Sequence, residues 1–282
     1  MSLFGPNIAN LKAKRDVAGL LHALKSKDTF TRGQALLALG ELGDARAAPA
    51  IADWLLAKES TVHEEIAAVD ALRKLGNPGV ADALVRACAI SQQREQELIA
   101  DTLKQPDKAY RAEFYINRIA TDEYTLRTAI AQAIAAFGGA RALTTLFELL
   151  VTEKGVMESN VKQAIKTAIS ELTQNADAEL VALLRTNLGH ASPEAREWAA
   201  HCLGELEDGA AMDALLARAA DDDEVFAVRE AAFFALGNIG DASILPELEH
   251  LTRSSNRGIA RDAKQCWSSV RHRLGLPTFT GY

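Results

Sequence analysis

The stretch "VREAAFFALGNIGDASI", residues 228–244, contains two glycines three residues apart, followed directly by an aspartate. Glycine-rich turns that open a helix often bind phosphates, so Gly237, Gly240 and Asp241 could form either a phosphate loop or a helix boundary. A phosphate loop needs a strand before the glycines and, in the Walker A motif, a lysine after them. Helical periodicity precedes this motif, and no lysine follows it. We therefore interpret Gly240 as the left-handed end of one helix, Asp241 as the N-cap of the next, and Gly237 as a point of close helix approach.

The motif recurs along the chain at a nearly constant spacing. Clear copies begin at Ala38, Ala71, Ala133, Cys202 and Ala235, and weaker copies begin at Thr102, Ala168 and Cys266. Neighbouring copies lie 31 to 35 residues apart, a period that is typical of stacked supersecondary units. Each copy reads as two amphipathic helices, the first pair covering residues 16–27 and 28–42. The sequence therefore predicts an all-α fold, a right-handed α-solenoid (superhelix) of about eight two-helix repeats.

Polar residues and prolines mark the predicted helix starts. Capping residues precede the second helices at Asp28, Thr61, Ser192 and Asn256. Thr61 and Glu64 have the spacing of a capping box. Pro49 and Pro246 fall in the first turn of first helices, where a missing N–H is tolerated. We assign residues 1–15 to an N-terminal cap segment, 16–273 to the repeats and 274–282 to a C-terminal tail.

These repeats resemble the short HEAT repeats of the type named after phycobilisome lyases, most clearly in residues 28–51 and 228–248. The resemblance covers about residues 16–273 and implies a fold of stacked helix pairs. It also implies an arginine near the start of each second helix that braces neighbouring units, matched by Arg32, Arg127, Arg196 and Arg229, with Lys162 in the fifth unit. Glu65, Gln96 and Ala260 depart from that pattern, so altered stacking is expected around the second, third and eighth units.

Composition excludes several functional classes. The net charge of -7 has the wrong sign for a nucleic-acid binder, whose affinity comes from neutralising phosphates. No apolar stretch approaches the roughly 20 residues that span a bilayer, and residues 1–16 lack the apolar core of a signal peptide, so we expect a cytoplasmic protein. Cys88, Cys202 and Cys266 lie far apart in helical segments and are expected to be buried.

Candidate chemical sites are weaker than their structural explanations. Deoxyhypusine hydroxylase, a HEAT-repeat enzyme, binds two irons through several His-Glu pairs, whereas this chain has the single pair His63-Glu64. The three tryptophans, Trp54, Trp198 and Trp267, invite comparison with HEAT-like DNA glycosylases but are expected to pack in the core or between repeats. The acidic run at 221–224 lacks the ligand spacing of a calcium loop. We therefore expect no catalytic residues, no cofactor and no metal site.

Aligning the units predicts which positions of the second helices are exposed. They are the residue before each ALG-like motif and the residues four before and four after that one, which share a helix face. We call this set the exposed row: Gly33/Leu37/Glu41, Ile66/Asp70/Lys74, Glu97/Asp101/Gln105, Thr128/Gln132/Ala136, Gln163/Thr167/Glu171, Glu197/His201/Glu205, Glu230/Phe234/Asn238 and Arg261/Gln265/Ser269. It contains eight carboxylates and two cations, Lys74 and Arg261. Second helices line the concave face of such solenoids, so the row predicts an acidic groove that attracts a basic partner.

Three apolar side chains, Leu37, Ile66 and Phe234, interrupt the exposed row. Either they contact a partner or the twist of the repeats buries them. We predict partner binding at Leu37, Asp70, Asp101, His201, Glu230 and Phe234. The predicted function is a non-enzymatic protein–protein interaction scaffold that binds another protein, with no nucleic acid or membrane involved. The alternative is a phycobilin lyase-like subunit or another enzyme-associated HEAT-repeat chaperone, and the oligomeric state stays open.

Overall fold

The computed structural model describes residues 6–57, 60–103, 112–155 and 157–277, with side chains omitted at 101–103 and 112–118. Within these ranges the protein contains fifteen α-helices and no β-strand. None of these helices is long and apolar enough to cross a membrane. The chain divides into two compact units, Met1–Leu172 and Thr173–Tyr282.

The helices of the first unit are short except for one central pair. They are α1 (Ile8–Ala13), α2 (Val17–Ala23), α3 (Thr29–Leu42), α4 (Ala48–Leu55), α5 (Val62–Leu75), α6 (Ala81–Leu103), α7 (Ala112–Phe137), α8 (Gly139–Thr152) and α9 (Glu158–Thr173). The second helices form one layer, in which α3 packs against α5 and α5 packs against α7. The first helices α2 and α4 pack on α3 and α5, and α1 covers α2 and α3.

The second unit repeats the same arrangement with three regular helix pairs. Its helices are α10 (Ala178–Asn187), α11 (Pro193–Glu205), α12 (Met212–Ala220), α13 (Phe226–Ile239), α14 (Leu245–Leu251) and α15 (Arg257–Arg273). α11, α13 and α15 lie side by side as one layer, and α10, α12 and α14 each pack on the helix that follows them. Small and aliphatic side chains fill the space between layers, with Leu203 and Leu236 completely buried. The predicted all-α fold of stacked helix pairs is confirmed.

The third and fourth predicted units differ from the pattern, because one hairpin of two long helices stands in place of two hairpins of short helices. α6 has 23 residues and α7 has 26, and the two pack against each other. Neither sequence contains a glycine or a proline, so nothing ends the helix where the period predicts a turn. α5 therefore packs directly on α7, and the described residues contain seven helix pairs after α1.

The predicted helix starts are confirmed at most positions. Asp28 accepts a hydrogen bond from the Thr31 N–H at 2.9 Å, and Asn256 accepts from two backbone N–H groups of α15. Thr61 and Glu64 form the complete capping box. Ser192 occupies the N-cap position of α11, but its hydroxyl donates to the Glu194 carboxylate instead of accepting from the backbone.

The prediction of a left-handed glycine at position 240 is wrong. Gly240 has φ −58° and ψ 137°, an extended conformation open to any residue. A side chain is excluded there for another reason, because a Cβ atom would lie 2.6 Å from the Leu236 carbonyl oxygen and would also clash with Ile244. Left-handed helix ends do occur at Gly43 and Gly76. The prediction for Asp241 is confirmed, since its carboxylate accepts from the Ser243 N–H at 2.7 Å.

Close helix approach occurs one repeat before Gly237. A Cβ atom at Gly237 would meet only the Ser269 Cβ, at an ordinary 3.7 Å. At Gly204 the same atom would lie 2.7 Å from the Cα of Ala235, so α11 and α13 can pack this closely only with glycine there. The close approach predicted for Gly237 therefore belongs to Gly204.

The repeated arginine braces neighbouring units at three of its positions. Arg32 on α3 donates to Glu64 on α5 at 2.7 Å. Arg196 on α11 donates twice to Glu224, which precedes α13, at 2.6 and 2.9 Å. Arg229 instead bonds the Glu224 carbonyl within its own helix pair. The bracing role is thus confirmed for Arg32 and Arg196, and also for Arg127, which pairs with Glu95 on α6 and with Glu153 after α8. It is wrong for Arg229.

The departure at Glu65 is a reversal of charge that creates a buried charge network in the first unit. Arg94 on α6 donates to Glu65 on α5 and to Glu123 on α7, with distances of 2.6 to 2.9 Å. Arg127 on α7, whose side chain is fully buried, pairs with Glu95 at 3.2 Å and with Glu153 at 3.3 Å. We call these six side chains the buried charge network: Glu65, Arg94, Glu95, Glu123, Arg127 and Glu153. Around the second and third units, where altered stacking was predicted, Arg94 on α6 therefore supplies the cation that joins α5 and α7.

Candidate functional site

The exposed row is solvent-accessible wherever the structure describes its side chains. None of those side chains is buried, and Leu37 and Phe234 are 43% and 52% exposed. Ile66 is half-buried. The register predicted from the repeats is therefore confirmed, and of the two alternatives for Leu37 and Phe234 the structure favours exposure. Asp101 stands on α6, outside the α3–α5–α7 layer, and its side chain lies outside the described residues.

In the first unit the exposed row borders a cavity of about 610 Å³. α5, α7 and α9 line it, through residues that include Ile66, Asp70, Gln132 and Glu171. Asp70 accepts hydrogen bonds from Arg73 at 2.6 Å and forms an ion pair with Lys74 at 2.7 Å. Partial burial acts to raise the pKa of Asp70, but the bonds from Lys74 and Arg73 outweigh it and hold that pKa below its usual value.

The negative charge of the first unit is therefore smaller than the exposed row suggests. Glu41 is paired with Lys12, which lies on α1 and outside the aligned repeats. Arg73 also lines the cavity, although it is not a member of the row. The sequence count of eight carboxylates against two cations overstates the acidity here, because helix neighbours and α1 supply cations that the alignment did not include.

In the second unit three rings form what we call the aromatic stack. The rings of Trp198 and His201 on α11 lie 4.4 Å apart between centroids, with 15° between their planes. The ring of Phe234 on α13 lies 5.8 Å from that of His201, at 24°. Its neighbour Phe233 is only 4% exposed, so α13 presents one ring to the core and one to solvent. Trp198 is half-buried, so of its two predicted positions, in the core or between repeats, the core is wrong.

Beside the aromatic stack lies a cavity of about 340 Å³ between α13 and α15, which we call the α13–α15 cavity. Its lining residues are Glu230, Phe233, Phe234, Gly237, Asn238, Asp262, Gln265, Cys266 and Ser269. Two carboxylates, two amides and two phenylalanine rings therefore meet in a space large enough for one amino-acid side chain.

Asp262 is the most enclosed polar group of this cavity, with 9% of its surface exposed. Its Oδ1 accepts from the Arg261 Nε–H at 2.7 Å. Its Oδ2 is also buried and receives no hydrogen bond from any described residue. The guanidinium of Arg261 lies 5.7 Å from the centre of the Phe226 ring, at cation–π distance. The protein's own arginine thus bonds one carboxylate oxygen, and the other is enclosed without a donor among the described residues.

The structure brings together three of the predicted partner-binding residues. His201, Glu230 and Phe234 lie on adjacent helices of the second unit, whereas Leu37 and Asp70 lie on α3 and α5 of the first. Sequence reasoning missed Trp198 and Asp262 as members of the site. Trp198 had a signal, since it precedes His201 by three residues and shares its helix face. Asp262 had none, because it falls one residue after Arg261, at a position that the alignment did not include in the exposed row.

Other reactive residues do not assemble into a chemical site within the described ranges. No three His, Cys, Asp or Glu side chains there are placed to hold a metal ion. Glu64 of the His63-Glu64 pair is engaged by Thr61 and Arg32. All three cysteines are free and buried, and burial raises the pKa of each thiol to about 12. Each thiol is therefore protonated at neutral pH.

Comparison with known proteins identifies relatives of the whole chain. The family model for HEAT repeats matches residues 17–104 and 156–227, which is more than half of the chain. Deoxyhypusine hydroxylase-B from Oryza sativa subsp. japonica is 24% identical over 268 residues, covering 94% of this chain and 85% of that protein.

Two solved structures of similar length match at lower identity. Human deoxyhypusine hydroxylase in complex with glycerol is 18% identical over 94% of this chain and 88% of its own, with a TM-score of 0.36. The complex of CpcE and CpcF of phycocyanin lyase from a Nostoc species is 18% identical over 93% of this chain and 89% of that one, with a TM-score of 0.37.

Proposed function

Because the chain belongs to the HEAT-repeat family, we propose that it is a non-enzymatic scaffold that binds a partner protein through the exposed row. The central contact is the aromatic stack of the second unit, with Glu230 and Asp262 beside it. The partner presents a basic surface to this face.

The exposure of Phe234 is the observation that carries this proposal. A half-exposed phenylalanine on a regular helix leaves apolar area in water, although Phe233 already supplies the core contact of that turn. The ring continues a stack with His201 and Trp198, which holds it in one orientation. Aromatic residues, phenylalanine among them, are enriched in the cores of protein interfaces, where a few residues supply most of the binding energy.

The charge around the aromatic stack defines the chemistry of the partner. Glu205 and Glu230 are exposed, whereas Asp262 in the adjoining cavity is paired with Arg261, so the first two supply the uncompensated negative charge. Carboxylates on one face attract a basic surface from a distance and repel nucleic acid. This complementarity sets specificity and the association rate, while the aromatic contact supplies most of the affinity.

A catalytic role is less well supported by the described residues. The rice relative is named as a hydroxylase. The metal centre that a resemblance to deoxyhypusine hydroxylase implies would require several converging ligands. Glu64 is committed to the Thr61 cap and to Arg32, so the His63-Glu64 pair does not fit such a centre. The lyase-like alternative is tested by mixing the protein with bilin. We expect the absorbance spectrum of the bilin to stay unchanged, and a specific change would favour the alternative.

The proposal is tested by capturing the partner from an extract of the cells that produce the protein. The double variant Phe234→Ala/His201→Ala removes the exposed ring and its neighbour, and we expect it to lose the partner that the wild type retains. Removing central aromatic contacts typically weakens an interface by about 2 kcal/mol or more, roughly thirtyfold. Phe30→Ala is the matched control, because Phe30 is 72% exposed and lies outside the exposed row.

Charge reversal gives an independent arm of the same test. Glu230→Lys should weaken capture, and added salt should weaken it further by screening the remaining carboxylates. Asp213→Lys on α12 changes the net charge equally at an exposed position of the other layer. Equal capture by the wild type, the aromatic variant and Glu230→Lys would show that the partner binds another face.

A further inference from the structure

We propose that the α13–α15 cavity binds an arginine side chain of the partner, an inference that rests on the proposed function. The guanidinium would lie between the Phe234 ring and the two carboxylates, Asp262 and Glu230. The cavity would then determine which basic segment is recognised, while the aromatic stack provides the surrounding contact.

The unmatched oxygen of Asp262 is the first reason. A buried carboxylate oxygen without a donor is costly, and its Oδ2 has none among the described residues. Arg261 donates to Oδ1 through Nε and so leaves Oδ2 for a second group. A guanidinium carries five N–H donors in a planar fork and can supply that bond while it also bonds neighbouring acceptors.

The position of Arg261 is the second reason, because the protein already displays the same chemistry beside the cavity. Its guanidinium combines a carboxylate, Asp262, with a phenylalanine ring, Phe226. Phe234 and Glu230 offer an equivalent ring and carboxylate on the cavity side. Planar guanidinium groups favour this combination of stacking and forked hydrogen bonding, which an ammonium group cannot reproduce.

The size and lining of the cavity are the third reason. A volume of about 340 Å³ is at the lower end of the range of ligand pockets, roughly 300–1,000 Å³, and suits a single long side chain. The rings of Phe233 and Phe234 can cover the methylene stem. The side-chain amide oxygens of Asn238 and Gln265 can accept the guanidinium N–H groups that the carboxylates do not use.

The test uses three fluorescent peptides of sequence Gly-Ser-X-Ser-Gly, in which X is arginine, lysine or citrulline. Citrulline has the shape of arginine without its charge. Fluorescence anisotropy with the full chain should show saturable binding of the arginine peptide, with a Kd about tenfold or more below those of the other two. Equal affinity for arginine and lysine, or no saturable binding of the arginine peptide up to millimolar protein, would overturn the inference.

Variants of the full chain locate the site. Asp262→Asn should weaken arginine binding by about tenfold to a hundredfold. Arg261→Gln should strengthen it, because both oxygens of Asp262 become available. Asp213→Asn on α12 is the matched control and should have no effect. If Asp262→Asn does not fold, Glu230→Gln provides the same test, since the Glu230 carboxylate is exposed and also lines the cavity.

This inference and the proposed function can fail separately. If the aromatic variant loses the partner while Asp262→Asn leaves peptide binding unchanged, the cavity is not the arginine site but the scaffold function stands. If the cavity discriminates arginine while the aromatic variant still captures the partner, the scaffold surface lies elsewhere.

Discussion

Replacing Arg127 by methionine should cause the largest stability loss of any single charged residue in the first unit. The Arg127 side chain is fully buried and holds Glu95 at 3.2 Å and Glu153 at 3.3 Å, while Ser91 lies within 3.3 Å. Methionine fills a similar length but removes the guanidinium that bonds both of these buried carboxylates. Removing one partner of a buried ion pair costs about 3–5 kcal/mol, because the remaining charge stays desolvated.

The effect of Arg127→Met should depend on pH in a defined direction. Burial raises the pKa of Glu153 above its usual value of 4.5, and Arg127 opposes that shift. Without Arg127 the pKa of Glu153 in the folded protein rises further. The folded variant therefore binds a proton on Glu153 more tightly than the unfolded chain does. The variant therefore regains stability as the pH falls from neutral through the raised pKa of Glu153 towards 4.5. Over the same range, the difference in unfolding free energy between the variant and the wild type shrinks.

The assay is urea unfolding followed by far-ultraviolet circular dichroism at neutral pH and again near pH 4.5, the usual pKa of glutamate. Arg141→Met is the matched control, because Arg141 pairs with Asp82 on the surface, where such pairs contribute about 0–1 kcal/mol. Adding Glu95→Gln and Glu153→Gln to Arg127→Met should recover part of the loss. A loss below about 1 kcal/mol at neutral pH would refute this account of the buried charge network.

Two further predictions concern the second unit and the cysteines. Phe233→Ala should lower the free energy of unfolding, measured in urea, by about 3–5 kcal/mol, whereas Phe234→Ala should lower it by only about 1 kcal/mol. Equal losses would mean that α13 is rotated from its described orientation. A thiol-reactive dye at mildly alkaline pH should label Cys88, Cys202 and Cys266 only after urea is added, because burial raises each pKa to about 12; rapid labelling of the folded protein would contradict that burial.

The repeat period predicted most of the fold because it records which side of each helix packs. Exposure of Leu37 and Phe234 followed from counting positions around the ALG-like motif, and the structure agrees. The period did not predict that α6 and α7 are continuous, since residue spacing does not show whether the chain turns. The absence of glycine and proline from Ala81–Leu103 was the available signal, because nothing in that segment ends a helix.

The site was predictable in its surface residues and not in its tertiary contacts. His201, Glu230 and Phe234 followed from the alignment, which assigns exposure position by position. The stacking of His201 on Phe234 depends on how closely α11 and α13 approach, and Gly204 permits that approach. Whether an oxygen of Asp262 lacks a donor depends on the rotamer of Arg261, which no pattern in the sequence encodes.

Site-specific photo-crosslinking tests the central claim most directly, because it reports which surface touches the partner. A benzophenone amino acid is placed at position 234, in the aromatic stack, or at position 30, which is more exposed but outside the exposed row. Irradiation in extract should yield a partner crosslink from position 234 and none from position 30. A crosslink from position 30 alone would contradict the assignment of the partner surface to the exposed row.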